Sequence, residues 1–167
     1  LNYRKDREQQ LRDTNAPIYV DGFNLLITIE SALSGGFIFE GRDGCLRDIS
    51  SIHASYKRVE ETFPALDLIS RHLKQNGDFE VVWYLDKPVS NSGRLKQYII
   101  RVGHEKWLEW EVNLAQSPDH VLKKVDGPVV STDGVILDHC TAWLNLGRWI
   151  IEAFIPECRL LSLNPDT

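Results

Sequence analysis

Pro17-Ile18-Tyr19-Val20-Asp21-Gly22-Phe23-Asn24 is the stretch on which the reading of this chain turns. Ile18, Tyr19 and Val20 are β-branched or aromatic and suit a short buried strand. Pro17 can stand at its entry, because a proline is tolerated at the first residue of a strand. Asp21-Gly22 stops the run. Residues 24–33, NLLITIESAL, then read as a helix with Leu25, Leu26 and Ile29 inward, closed by Ser34-Gly35-Gly36.

The same alternation continues outward. Glu80 to Leu85 reads as a second buried strand that stops at Asp86, and residues 90–104 as a helix with Leu95, Ile99 and Val102 inward. Trp110 to Leu114 alternates and reads as a third strand, nearer an edge. Pro118 opens a short helix, a position where its missing N–H costs nothing. Pro128 to Ser131 reads as a fourth strand, followed by Thr132-Asp133 and a helical turn over 134–140. Residues 144–155 read as a helix and residues 159–163 as a last strand. Between the first helix and the second strand, Ile49, Ile52, Tyr56, Val59, Phe63, Leu66, Ile69 and Leu73 recur at helical spacing. They predict one long helix over 49–75, capped by Asp48 or Ser50, kinked near Pro64 and ended by Asn76-Gly77. Strands separated by helices imply βαβ crossovers, and strands apolar on both faces imply cover on both sides. The expected fold is therefore a three-layer α/β/α arrangement with a mostly parallel central sheet. It forms a single domain over 16–167, with an inserted hairpin or loop at about 34–48. Residues 1–15 are expected to be a polar arm or a short helix.

Composition narrows the function classes. The 167 residues are 43% hydrophobic and 26% charged, the balance of an ordinary globular domain. No apolar run is long enough to span a bilayer, and the charged first residues lack the apolar segment of a secretory signal. Cys45, Cys140 and Cys158 are isolated, without the spacing of a zinc site or a disulfide framework. A reducing cytoplasm is the expected setting. No methionine is present, so Leu1 is not expected to be the translation start. The formal net charge of -5 is unlike a protein that coats nucleic acid non-specifically and calls for a local basic patch if one is bound.

In an open parallel sheet, ligands bind beyond the carboxyl ends of the strands. Asp21, Asp86 and Asp133 follow the first, second and fourth expected strands, and Asp119 opens the helix after the third. Each alone suits a turn or a helix cap. Together they repel, and a cation is the usual remedy. Oxygen ligands that leave room for water suit Mg2+ or Mn2+, and such an ion acidifies water and polarises a phosphodiester. Asn24, Ser131 and Thr132 stand close to these acids in sequence. Ser90, Asn91 and Arg94 lie at a helix start, where free N–H groups favour anions. Arg42, in Gly41-Arg42-Asp43-Gly44-Cys45-Leu46-Arg47-Asp48, can hold phosphate as a planar fork, unless this loop is an internal salt-bridged turn. Lys57-Arg58, Arg71, Lys74 and Lys123-Lys124 read as solvated faces. Trp107, Trp110, Trp143 and Trp149 suit core packing better than base stacking.

Val20-Asp21-Gly22-Phe23-Asn24 resembles the DGxN opening of the NYN branch of PIN-like domains. Ser131-Thr132-Asp133 resembles the end of their last core strand, Ser117-Pro118-Asp119 their helix-opening acid, and Asp86 the acid after their second strand. Residues 17–138 follow this pattern in order. VDGFNLLITIESALSGG, GRDGCLRD and VVWYLDKPVSNSGR also look like an uncharacterised prokaryotic family within that superfamily. The resemblance implies a metal-dependent ribonuclease in which Asp21, Asp86, Asp119 and Asp133 are catalytic and hold Mg2+ or Mn2+, with RNA as substrate. It also implies pairing of two copies, for which the Trp-rich C-terminal helix offers a face. The chain departs from the pattern after Asp133, where Gly134 and Val135 stand in place of a second acid. That departure and the net charge motivate the competing expectation, a catalytically idle module that binds RNA or a protein. Aspartate after a first strand also suits a phosphoryl-transfer nucleophile, while a P-loop signature is missing.

Overall fold

The computed structural model describes residues 2–49, 57 and 59–162. Four strands make the central sheet: β1 (Ile18–Asp21), β4 (Val81–Asp86), β5 (Trp110–Ala115) and β6 (Val129–Val130), in the order β5-β4-β1-β6 and all parallel. The chain moves outward from β1 through β4 to β5 and then returns to the other flank of β1 as β6. The order therefore reverses between β1 and β6, and in open parallel sheets that is where a ligand crevice is expected, at the carboxyl ends.

Both faces of the sheet are buried. Ile18, Val20, Trp83, Leu85, Val112 and Val130 meet the core formed by α2 (Gly22–Leu33), α3 (Thr62–Asn76), α4 (Ser92–Glu105) and α7 (Leu146–Phe154). Tyr19, Tyr84 and Val129 meet the opposite core with α5 (Pro118–Leu122) and α6 (Gly134–His139). Alternation along a strand is what divides them. It also places Asp21 with Tyr19, and Asp86 with Tyr84, on the α5–α6 side. Trp83 is fully buried and packs its ring against Trp110, with centroids 5.2 Å apart.

Several sequence expectations are corrected. Helix α3 begins at Thr62, not near 49. Ile49, Val59 and Phe63 are exposed, whereas Leu66, Ile69 and Leu73 are buried. Ser50, Ile52, Tyr56 and Arg58, and Leu163 at the other end, lie outside the described residues. Pro64 kinks nothing, because it falls in the first turn of α3, where its nitrogen has no intrahelical partner. The first helix starts at Gly22 rather than Asn24. The 34–48 segment contains a hairpin, β2 (Phe37–Glu40) against β3 (Leu46–Asp48). β7 (Arg159–Ser162) pairs with β2 in parallel, giving a second, three-stranded sheet in place of another strand on the first.

The polar N-terminal stretch is fastened. It forms α1 (Asn2–Lys5) and a 3-10 turn over Leu11–Asp13, and Trp143 Nε1 donates to Arg4 O at 2.7 Å. Among the described residues no helix is long and apolar enough to cross a membrane. Trp143 and Trp110 are core residues, and Trp149 stacks on His72 with ring centroids 6.5 Å apart. The tryptophans of the C-terminal region are thus engaged within the chain. Trp107 is 91% exposed but stands before β5, at the sheet edge away from the acids.

Gly22 permits the abrupt strand-to-helix turn. A Cβ there would lie 2.5 Å from Leu85 Cδ2 and 3.1 Å from Tyr84 O. Gly22→Ala is therefore expected to lose about 1–2 kcal/mol despite alanine's better helix propensity. Urea unfolding measures it, and a stability equal to the parent's would show that β4 yields to the extra methyl.

Candidate active site

Asp21 is the last residue of β1, and the turn at Gly22 leaves its side chain at the reversal point. Ser131, buried just past β6, donates through Oγ to Asp21 Oδ2 at 2.8 Å and accepts from the Asp133 amide at 3.1 Å. One hydroxyl thus joins the acid of β1 to the backbone of the acid after β6. Asn24 closes the same junction from α2. Its Oδ1 accepts from the Thr132 amide at 2.9 Å, and its Nδ2 donates to Thr132 Oγ1 at 3.0 Å. Asn24, Ser131 and Thr132, expected to touch substrate, are held by these internal bonds.

Asp133 is exposed, and its Oδ1 accepts from the Val135 amide at 2.7 Å as the N-cap of α6. Asp86 ends β4 two positions past Tyr84, the register partner of Asp21. Asp119 stands apart chemically. It accepts from Ser117 Oγ and pairs with Lys123 Nζ at 3.2 Å, so its charge already has a cation. That i,i+4 pair was visible in the sequence and weakens the expectation that Asp119 serves as a primary metal ligand.

The electrostatics follow from this arrangement. Burial pushes the Asp21 carboxyl up to about 7. The Ser131 hydroxyl opposes the shift, Asp86 and Asp133 add to it, and the Asn24 amide resists it. Burial likewise raises Asp86, against its own backbone amide, and Asp119 adds to the rise. Asp119 is lowered, first by Ser117 and then by Lys123 against its partial desolvation. Among the described residues no basic side chain pairs with Asp21 or Asp86. Nor do three His, Cys, Asp or Glu side chains converge closely enough to hold a metal ion unaided.

The remaining expected contacts are peripheral. Ser90, Asn91 and Arg94 are exposed in the loop and first turn after β4, on the same sheet edge as Asp86. Asn91 takes the left-handed conformation, with φ 67°. Arg42 is exposed in the β2–β3 turn and is not the arginine that reaches the site. Arg47 is. It forks onto Asp43, with Nη1 to Oδ1 at 2.9 Å and Nη2 to Oδ2 at 2.7 Å, and also donates to Thr132 O. Arg4 joins the same carboxylate at 2.8 Å. The Asp43–Arg47 spacing was legible in GRDGCLRD, whereas nothing in the first residues marked Arg4 for a partner so distant in sequence.

The fold and its acid-lined crevice define a class, an α/β protein whose candidate site lies at the point where a parallel sheet reverses its order. The chain belongs to the family described as Domain of unknown function (DUF5616), which matches residues 9–149. It is similar to the uncharacterized protein MJ0935 of Methanocaldococcus jannaschii, with 33% identity over 138 residues. That match covers 82% of this chain and 65% of the relative, so the chain spans less than two thirds of that protein. No solved structure matches the chain.

A raised carboxyl has a definite consequence for stability. Between the ordinary value of 3.8 and about 7, the folded protein keeps a proton on Asp21 that the unfolded chain has lost. Stability therefore falls as pH rises through that window. Asp21→Asn is expected to be more stable than the parent at pH 8 without divalent metal, by on the order of 2 kcal/mol, and to converge with it near pH 4. Urea unfolding at both pH values in chelator checks this, and an Asn variant less stable at pH 8 would contradict it.

Proposed function

We propose that this chain is a PIN-like, NYN-type metal-dependent ribonuclease that hydrolyses RNA at the Asp21 crevice. The observation that carries the reading is the half-buried Asp21 carboxylate, set beside two further acids with no basic side chain among the described residues to offset it. Such a group costs free energy unless a cation joins it. The available donors are carboxylate oxygens, which suit Mg2+ or Mn2+ over softer ions. Asp21 and Asp133 would be the principal ligands and Asp86 would complete the set, with water filling the remaining positions, as Mg2+ commonly requires. When bound, the ion supplies a Lewis acid that acidifies water and draws charge from a phosphodiester.

The chain's own residues have separable roles in this reading. Ser131 orients Asp21 through its hydrogen bond. Asn24 and Thr132 hold β6 and α2 at a fixed separation. Lys87 and Arg94, exposed in the loop and first turn after Asp86, face solvent where phosphates of a single strand would pass. The sheet reversal and the Asp-Gly turn agree with what the NYN resemblance implies.

A second reading, an idle module that binds RNA or protein, is favoured by one finding. Asp133 uses one oxygen on its own helix cap, and among the described residues no three acids converge unaided. Two measurements separate the readings. Manganese titrated calorimetrically into the parent should bind, and the affinity should fall at least tenfold in Asp21→Asn. Single-stranded and structured RNA should be cleaved in the presence of manganese, with the rate reduced about 100-fold or more in that variant. Binding heat without cleavage would favour the idle module, and neither heat nor cleavage would sink the nuclease.

A further inference from the structure

The backbone on either side of Asp133 is gripped by two arginines from outside the central sheet. Arg47, on β3, donates through Nε and Nη2 to Thr132 O at 2.9 and 2.7 Å. Arg4, on α1, donates through Nη2 to Gly134 O at 3.1 Å and through Nε to Asp138 Oδ1 at 2.6 Å. Both guanidinium groups converge on Asp43, whose side chain is only 4% exposed. One buried carboxylate therefore anchors two cations, and each cation holds a carbonyl adjacent to Asp133. Charge-assisted bonds of this kind are about twice as strong as neutral ones, and a forked pair fixes direction as well as distance.

We infer that Asp43, Arg47 and Arg4 are positioning residues for the acidic site, holding the 132–134 backbone so that Asp133 keeps its place beside Asp21. The coupling to Asp21 runs through Ser131, which touches both acids, and through Asn24, which bonds Thr132. The inference rests on the metal-site reading of the crevice. It adds to that reading that the N-terminal segment and the β2–β3 hairpin are part of the site's construction. Groups at this remove from a metal commonly change its affinity by about 10- to 100-fold when lost.

Arg148 supplies the comparison. It fastens the same hairpin, donating to Glu40 Oε1 at 2.6 Å and to Gly44 O at 3.0 Å, and it pairs with Glu152. Among the described residues its hydrogen bonds go to Glu40, Gly44 and Glu152 and not to the 131–134 loop, so its loss tests fastening without positioning.

The experiment uses the full chain with Arg47→Lys, Asp43→Asn and Arg148→Gln. It measures manganese affinity by calorimetry, the thermal midpoint, and amide exchange at Thr132 and Asp133 by NMR. Lysine keeps the charge near Asp43 but cannot span both Asp43 and the Thr132 carbonyl as a planar fork. Arg47→Lys should therefore remain folded, bind manganese about tenfold more weakly, and exchange the two amides about tenfold faster. Arg148→Gln should lower the midpoint and leave both other readouts at the parent's values. A folded Arg47→Lys with parental affinity and exchange would overturn the inference, as would equal weakening in Arg148→Gln. If the parent itself takes no manganese, the metal reading fails by itself. Exchange at Thr132 and Asp133 then decides the positioning inference, with faster exchange in Arg47→Lys supporting it and unchanged exchange overturning it. Should Asp43→Asn not fold, the milder lysine variant carries the test.

Discussion

Asp21 holds a carboxylate at the reversal point of a parallel sheet, largely withdrawn from water and close enough to Asp86 and Asp133 to feel their charge. A negative charge in such a place is costly, and the structure around it consists largely of devices that keep it there. Gly22 lets α2 start at once, against Leu85 and the Tyr84 carbonyl. Ser131 supplies one hydrogen bond to the carboxylate, and Asn24 fixes the neighbouring loop. Beyond these, Asp43 gathers two arginines that hold the loop from its far side. The devices come from α2, the end of β6 and the β2–β3 turn, so the crevice depends on much of the fold.

The two cores explain why the crevice can be held so closely. Large side chains such as Trp83 and Trp143 fill the space on opposite faces of the sheet with almost no exposure. A packed interior leaves the strands little freedom to shift. The carboxyl-end loops are then the adjustable part, and one of them, 131–134, is immobilised by hydrogen bonds from α1, α2 and β3. The loop after β4 carries exposed Lys87, Ser90 and Arg94 on the same edge of the sheet.

Much of this was legible in the residues themselves. Short runs apolar on both faces marked buried parallel strands, and an acid at each run's end marked the edge where chemistry belongs. The errors have physical reasons. Helical spacing continued across Val59 and Phe63 although both are exposed, because spacing reports possible faces and not burial. Pro64 suggested a break, but it sits where a helix tolerates proline best. β7 resembled another strand of the main sheet, and only its partner β2, far away in sequence, reveals otherwise. Arg42 and Arg47 were alike as letters. The fold sends one to solvent and the other to the Thr132 carbonyl, a partner far away in sequence. Asp119 already read as the most cap-like of the four acids, after Ser117-Pro118, and the structure adds its pairing with Lys123 one turn later.

The acids around Asp21 are proposed to take a divalent cation through their carboxylates. Paramagnetic broadening of amide signals by substoichiometric Mn2+ tests it residue by residue, independently of any substrate. Signals from Asp21, Asp86 and Ser131 through Asp133 are expected to disappear first, and this selectivity to be lost in Asp21→Asn. Broadening spread evenly over surface acids such as Asp13, Asp78 and Asp126, with the crevice signals intact, would contradict it.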